Sequence, residues 1–490
     1  MLSLSEFKKL CRKGNLIALS KTIPADLETP VSCFLKLAGS KKHAFFLESA
    51  EQGEKTGRYS FIGFDPAAVF ESTAQGISVT ENGKTSKFPA SQDLLLLMKN
   101  KMSKFKLANP QDLPAFCGGF VGYLSYENVS RFETIRLKKA VGPDVPEAVF
   151  FLSKDFVVFD HFRKTLSFVI LADTCNSKNP SAAYALAEKK INERLLNLRK
   201  PLLLKAVSKK KIDTAHLKSN VTPKEFYSKV KKIQSYIRAG DCIQVVLSQR
   251  FSFPNLENDF QIYRALRSVN PSPYMFYFKS GSHRLIGSSP EMLVRKTGRE
   301  AELRPIAGTR KRGKTLQEDL QLEESLKNDK KEMAEHLMLV DLGRNDLGRV
   351  SEFNSVKVKD FARVERYSHV MHLVSDVTCR LKKDCSAFDL LKATFPAGTV
   401  SGAPKIRAMQ IIDELEPERR GPYAGCLGYF SFNQDMDMCI TIRTLVLDGK
   451  KIYLQAGAGI VKDSSPKSEF QETVNKAKAL LKAISMQGEF

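Results

Sequence analysis

Two pairs of glutamates, Glu332 with Glu335 and Glu469 with Glu472, stand three residues apart in stretches that read as helices. Residues three apart on a helix share a face, so each pair presents two carboxylates side by side. Two such pairs can converge on one ion, and an all-oxygen donor set suits Mg2+ rather than zinc. A glutamate pair on a solvated helix face has the same spacing, so the pattern alone leaves both readings open.

A second pattern competes with the first. "GTRKRGKT" (308–315) matches the phosphate-loop pattern G-x-x-x-x-G-K-[ST], and "LMLVD" (337–341) offers an apolar run ending in Asp. A phosphate loop works only between a buried parallel strand and a helix whose free N–H groups cradle the phosphates. The preceding "REAELRPIA" alternates charge and contains Pro305, which fits a half-exposed antiparallel strand. The following "LQEDLQLEESLKNDKKEM" is too polar to be covered by a sheet. In "EMAEHLMLVDLGRNDL" (332–347), Met333, Leu337 and Val340 predict one helical stripe rather than a strand. An ATPase is not supported.

The bulk properties narrow the class. A chain of 490 residues predicts two domains. At 42% apolar and 27% charged residues it is globular, and no apolar run is long enough to span a bilayer. The start, "MLSLSEFKKLCRKG", lacks a signal-peptide core, which predicts a cytoplasmic protein with no membrane partner. Nine scattered cysteines without CxxC fit a reducing compartment. The net charge of +23 is spread along the chain, with a short cluster only at Lys209–Lys211, so a nucleic-acid partner is not expected. A basic surface of this kind favours anionic small molecules.

The elements that must carry these residues are mixed. "GISVTENGKTSKF" (76–88) is a hairpin turned by Asn82-Gly83, and "DFVVFDHFRKTLSFVILAD" (155–173) reads as two antiparallel strands. A helix is expected over 182–199, then a basic stretch without period that places a domain boundary near 200–220. The expected domains are therefore 1–215 and 216–490. Thr222-Pro223 opens a helix that stops at Gly240, and "DCIQVVLSQRFSF" is strand-like. A hairpin at Asp448-Gly449 and a terminal helix from "SPKSEFQETVNKA" close the chain. Strands and helices mix without a βαβ repeat, which predicts an α+β fold with largely antiparallel sheets.

Longer segments carry a resemblance. "PIAGTRKRG" (305–313), "EHLMLVDLGRNDLGRV" (335–350), "SHVMHLVSDV" (368–377), "FPAGTVSGAPKIRAM" (395–409), "GPYAGCLGYF" (421–430) and "QAGAGIVKDSSPKSEFQETVNKA" (455–477) are similar, in order, to the chorismate-utilising enzymes. The match is dense over 222–480 and sparser at "FFLESAEQGEKTGRYSFIG" (45–63) and "GGFVGYLSYE" (118–127). The resemblance implies two stacked, mostly antiparallel sheets flanked by helices, with an N-terminal regulatory domain packed beside them. It implies that Glu335 and Glu472 bind Mg2+ directly and Glu332 and Glu469 through water. Chorismate is a dianion, and Thr399, Tyr423, Arg443, Gly457, Gly459 and Lys476 match the substrate-binding positions. Glu291 matches the acid that protonates the departing ring hydroxyl, and His372 the residue linked to pyruvate elimination. His369 and His336 read as structural, with His336 otherwise supporting its neighbour Glu335.

Two positions separate the branches of the family. Members that add water carry a lysine where this chain has Gln244, which offers an amide and no base. Members that aminate a different ring carbon carry a lysine where this chain has Ala307, so no covalent adduct with the ring is possible. The resemblance thus implies the anthranilate-forming branch: ammonia adds beside the carboxylate, and pyruvate leaves the aminodeoxyisochorismate intermediate. "AGCLGYF" (424–430) lacks the Gly-x-Cys-x-Gly elbow of a glutaminase at Cys426, so ammonia must come from solution or from a separate glutamine amidotransferase subunit. "LES" (47–49) and "NPSPYMF" (270–276) resemble the family's regulatory segments. They imply an inhibitory tryptophan site at Glu48, Ser49, Pro273, Tyr274 and Met275, closed by Tyr429.

Overall fold

The computed structural model describes residues 1–50, 57–138, 141–175, 179–202, 217–254, 259–367 and 370–486. The expected domain boundary at 215/216 and His369 lie outside the described residues. Asn82 and Gly83 both take positive φ, 51° and 75°, the geometry that lets strands Gly76–Glu81 and Lys84–Phe88 keep their natural twist. Asp448 Oδ1 accepts the amides of Lys450 and Lys451 and so closes the second hairpin. Thr222 caps helix Pro223–Arg238 in a reciprocal box with Glu225, and Gly240 follows its end at φ 84°. The expected helix over 182–199 is Pro180–Leu198, and the last helix is Pro466–Ser485.

The strands assemble into two sheets of twelve, and every pairing between them is antiparallel. The central order of the first is Tyr59–Phe64, His43–Glu48, Tyr274–Ser280, His283–Ser289, Thr444–Leu447, Lys451–Ile460, Gln244–Pro254. The second begins Ile306–Lys311, Val370–Arg380, Glu300–Leu303, Met292–Thr297, Met436–Ile440, Cys426–Ser431, Gly119–Leu124. Strands from both ends of the chain enter both sheets. The N-terminal part joins edge to edge where His43–Glu48 pairs with Tyr274–Ser280 and where Gly119–Leu124 pairs with Cys426–Ser431.

Period-two alternation decides what each strand buries. Phe45 lies opposite Phe278, and both face the second sheet, where Phe151 stacks on Phe278 with ring centroids 4.5 Å apart. Their neighbours Phe46 and Tyr277, also opposite each other, face outward and pack on Phe34 of helix Pro30–Leu37. Helices therefore cover the outer face of the first sheet, while the two sheets pack against each other. No helix among the described residues is long and apolar enough to cross a membrane. All nine cysteines are free thiols.

The helix expected over 332–347 is Lys330–Gly348; of the expected stripe Val340 is buried and Met333 packs beside Leu326, Met371 and Leu373, but Leu337 turns outward. Leu337 is 49% exposed, whereas His336, Leu339, Val340, Gly343 and Leu347 are buried. Gly343 faces Leu303, Pro305 and Val377, so a small residue and a histidine, not apolar type alone, mark the packed side.

Two glycines are obligatory to the sheet packing. The Phe45 ring lies across Gly63 and the Phe276 ring across Gly287, and a Cβ on either glycine would sit 2.1 Å from a ring carbon. Gly287→Ala is expected to cost about 1–3 kcal/mol by forcing the ring out of its rotamer. Urea unfolding of the variant measures it, and a loss near zero would show that the ring has room to move.

Candidate active site

Two candidate residues stand where the chain leaves one sheet for the other. Glu291 lies between His283–Ser289 of the first sheet and Met292–Thr297 of the second. Arg443 lies on the return path, between Met436–Ile440 and Thr444–Leu447. The two crossings are tied together, because the Glu291 carbonyl accepts the Ile440 amide at 3.0 Å. Arg443, in the segment "TIRTLVLDG" that reads as a strand, instead precedes strand Thr444–Leu447 at φ 50°, an uncommon conformation for a residue with a side chain. Nη1 of Arg443 donates to the Lys476 carbonyl at 3.2 Å. Burial raises the Glu291 carboxyl above its ordinary range, opposed by the Thr399 hydroxyl and the charges of Lys476 and Arg443. The Thr399 hydroxyl donates to Glu291 Oε2 at 2.9 Å.

Strand Lys451–Ile460 forms the floor beside these crossings. A Cβ on Gly457 would come 2.6 Å from the Tyr423 hydroxyl, and one on Gly459 2.4 Å from Gln244 Nε2. Both glycines are thus closely approached by a neighbouring side chain, which a Cβ would have to push aside. Gln244 Nε2 donates to Glu335 Oε1 at 3.0 Å. Lys476 Nζ donates to the Gly457 carbonyl at 2.9 Å and pairs with Glu472 at 2.7 Å. The structure therefore gathers Gln244, Glu335, Tyr423, Gly457, Gly459, Glu472 and Lys476 around one strand, with Arg443, Glu291 and Thr399 adjoining.

His372, on Val370–Arg380, faces the edge strand Ile306–Lys311, which bulges at Gly308, φ 67°. The bulge turns the Gly308 carbonyl toward His372, whose Nδ1 stands 2.8 Å from it. A carbonyl only accepts, so Nδ1 carries the proton and Nε2 keeps a lone pair. Burial lowers the His372 pKa below its ordinary value, which favours this neutral form. Glu332 Oε2 packs on Gly308, within 3.2 Å of where a Cβ would stand, bringing the helix glutamates to the same edge.

The two glutamate pairs sit on separate helices, Lys330–Gly348 and Pro466–Ser485. Burial and then the companion carboxylate raise the pKa of Glu332 and, with Ser464 opposing, of Glu469. Among the described residues no three His, Cys, Asp or Glu side chains form a cluster able to hold a metal, so the expected four-carboxylate cluster is not closed. Glu335 accepts from Gln244, and Glu472 pairs with Lys476. The donors themselves, carboxylate oxygens crowded in like-charged pairs, fit a hard dication.

The phosphate-loop match is spent on other bonds. Its strand is antiparallel and at the sheet edge. Thr315 caps helix Leu316–Lys327, and the amides of Gly313 and Lys314 donate to Asp319 and Glu318 at 2.8 and 2.7 Å. Carboxylates of the protein's own first turn occupy the donors a phosphate needs. Cys426 is equally unavailable as a nucleophile: it is fully buried on a strand, and burial pushes its thiol up to about 12.

Glu48, Ser49, Pro273, Tyr274, Met275 and Tyr429 all line one cavity of about 860 Å³ between the sheets. Glu48 Oε1 accepts the Tyr263 hydroxyl at 2.6 Å and Arg267 Nε at 2.7 Å. The Tyr274 hydroxyl donates to Asp437 at 2.9 Å, and Arg295 donates to it at 3.1 Å. Phe116 packs beside Tyr429, with centroids 5.1 Å apart, and Phe61 completes an apolar wall. The Met275 side chain belongs to the outer core, so Met275 offers its backbone. The cavity does not contain the carboxylate pairs. It does reach Ile306 and Tyr367, and the Tyr367 ring stands 5.7 Å from that of His372.

Sequence reasoning missed two buried ion pairs that border the candidate residues. Arg420 binds Glu416 at 2.7 Å, and Lys405 binds Asp346 at 2.7 Å. Both cations lie in or beside segments already singled out, but their spacing carries no sign of burial.

The chain matches the family of chorismate binding enzymes over residues 42–482. It is similar to anthranilate synthase component 1 of Aquifex aeolicus, 48% identical over 490 residues, covering 100% of this chain and 98% of the relative. To anthranilate synthase component 1 of Acetivibrio thermocellus it is 46% identical over 494 residues, covering 99% of each. Its structure is similar to the crystal structure of anthranilate synthase component I from Streptococcus pneumoniae, with a TM-score of 0.78, 38% identity, and 94% of this chain and 99% of that one covered.

The Thr399–Glu291 bond yields a prediction. A hydroxyl donating to a carboxylate favours its charged form, so Thr399→Val removes that support and moves the Glu291 titration further upward. Carbon-13 NMR of labelled glutamate carboxyls follows it, and an unchanged titration would show that the bond carries no weight.

Proposed function

The chain belongs to the chorismate-binding enzymes and, within them, to the anthranilate synthase component I family, and from that premise we propose that it converts chorismate and ammonia to anthranilate and pyruvate in tryptophan biosynthesis. The observation that carries this reading is the pair of lysine-free positions. Gln244 holds an amide against Glu335, and Ala307 is a buried methyl on the edge strand. Ammonia is a competent nucleophile without a general base, and a methyl group forms no adduct with the ring.

Each residue then has a task. Arg443, Lys476 and the backbone at Gly457 and Gly459 receive one carboxylate of the dianion, with Tyr423 and Thr399 shaping the ring pocket. Glu291, whose carboxyl is raised by burial, gives its proton to the departing ring hydroxyl as ammonia adds beside the other carboxylate. Nε2 of neutral His372 takes the ring proton of the aminodeoxyisochorismate intermediate as the bond to the enolpyruvyl oxygen breaks and pyruvate leaves. Glu335 and Glu472 would hold Mg2+ directly and Glu332 and Glu469 through water, and the bound ion withdraws electrons from the ring through its carboxylate. With Cys426 inert, ammonia comes from a separate glutamine amidotransferase subunit, in keeping with the "component 1" of the relatives' names.

The purified chain with chorismate, Mg2+ and ammonium salt at mildly alkaline pH is expected to form anthranilate, identified by fluorescence and mass. Isochorismate or 4-amino-4-deoxychorismate as product would sink the assignment. Glu335→Gln and Glu472→Gln are each expected to lower turnover by about 10²-fold or more at low Mg2+, and to weaken Mn2+ binding measured by electron paramagnetic resonance. Near-normal turnover and ion binding in either variant would remove these ligands.

The cavity at Glu48 and Ser49 supports a regulatory tryptophan. Glu48, Ser49 and the backbone at Pro273–Met275 would take the ammonium and carboxylate, and Phe61 and Tyr429 the indole, with Phe116 packed behind Tyr429. Tryptophan is expected to inhibit at subsaturating chorismate, and Ser49→Phe to abolish inhibition while sparing turnover. A flat activity curve to millimolar tryptophan would end this reading.

A further inference from the structure

Arg420 is 2% exposed and Glu416 3%. Nε of Arg420 donates to Glu416 Oε2 at 2.8 Å and Nη2 to Oε1 at 2.7 Å, a two-point pair. The same guanidinium has two further commitments. Nη1 donates to the Val400 carbonyl and Nη2 to the Val246 carbonyl, both at 2.7 Å. Its plane also lies near two rings, 4.9 Å from the centroid of Tyr126 and 5.5 Å from that of Tyr423. Glu416 Oε1 in turn accepts the amide and hydroxyl of Ser248, at 2.8 and 2.7 Å, and the Ser248 hydroxyl accepts Gln455 Nε2 at 2.8 Å.

The targets of this network are not scattered. Val400 follows Thr399, which holds Glu291. Val246 is two residues from Gln244 on the same strand, and Gln455 is two residues from Gly457. Tyr423 stands against Gly457. One buried charge thus fastens the Thr399 turn, the Gln244 strand, the Gly457 strand and Tyr423 to each other, while making no bond to Arg443 or Lys476. Neither partner can be ionised alone in such a place, because an unpaired buried charge is strongly destabilising.

We infer that Arg420, held by Glu416, is the positioning residue of the active site: it sets Thr399, and through it Glu291, against the strands that carry Gln244 and Gly457. This rests on the reaction assigned above. A lysine keeps the charge but is a point donor and cannot serve a carboxylate and two divergent carbonyls together. Arg420→Lys therefore loosens the Thr399 turn, which Arg420 bonds directly, while the Arg443 and Lys476 side chains that take the substrate carboxylate keep all their bonds.

Three measurements on the full chain test it. Per folded molecule, kcat for anthranilate is expected to fall about 10²-fold, since misplacement by an ångström costs that much, while KM for chorismate moves by less than about threefold. The alkaline limb of the kcat profile is expected to shift to higher pH, because a slackened Thr399 bond no longer favours ionised Glu291. Amide exchange at Thr399 and Val400 is expected to quicken about tenfold or more, with no change in strand Ala148–Ser153. A loss explained entirely by folded fraction, with the pH limb and local exchange unmoved, overturns the inference, as does quickened exchange everywhere. If Arg420→Lys does not fold, Glu416→Gln is measured in the same way, and failure of both to fold marks the pair as structural only. A wild-type chain that leaves chorismate unchanged defeats the assigned reaction instead, and local exchange then decides on Arg420 alone.

Discussion

The join between strands His43–Glu48 and Tyr274–Ser280 is the constraint on which the molecule depends. Its register sets Phe45 opposite Phe278 on the inner face and Phe46 opposite Tyr277 on the outer face. A slip of one residue would exchange the two faces and put the wrong ring in each core. The same register brings Glu48 beside Met275, so the wall of the inter-sheet cavity is made by the very pairing that unites the N-terminal strands with the rest. Sheet continuity and cavity are one feature.

Two twelve-stranded sheets in face-to-face contact require the chain to pass from one to the other, and a crossing cannot satisfy its backbone in either ladder. At Glu291 and Arg443 the crossings satisfy each other, through the Glu291 carbonyl with Ile440 and the Ser288 amide with the Arg443 carbonyl. The side chains there emerge at the seam between the sheets. That position explains both the raised Glu291 carboxyl and the left-handed backbone of Arg443, which no regular strand residue would adopt.

Much of this was legible from local signals. Asn82-Gly83, Thr222-Pro223 and the apolar runs of 155–173 act over a few residues, and the chain obeys them as a hairpin turn, a helix start and the strands Asp155–Asp160 and Thr165–Asp173. Glycine spacing at Gly457 and Gly459 was visible, but its cause was not, because the groups that crowd them, Tyr423 and Gln244, are distant in sequence. The stripe on helix Lys330–Gly348 was misjudged because His336 packs inward, with Nε2 2.6 Å from the Ser375 hydroxyl, while Leu337 faces solvent. Arg420 and Lys405 look like surface residues in a lysine- and arginine-rich chain. Only tertiary structure shows which cations are spent on buried carboxylates.

That distinction also locates the large positive charge. Among the described residues the buried charged side chains are the cations Arg250, Lys296, Lys405 and Arg420 and the anions Glu48, Asp155, Asp160, Asp319, Asp346 and Glu416. Among the described residues burial therefore withdraws more negative than positive charge, six anions against four cations, so the core does not account for the formal surplus of 23. Buried cations here act through geometry, as Arg420 does with two carbonyls and a carboxylate. The exposed ones act as a field that favours anions near the surface and fades over roughly 8 Å at physiological salt. The same residue types thus serve two separate physical roles, and position relative to the sheets, not abundance, decides which.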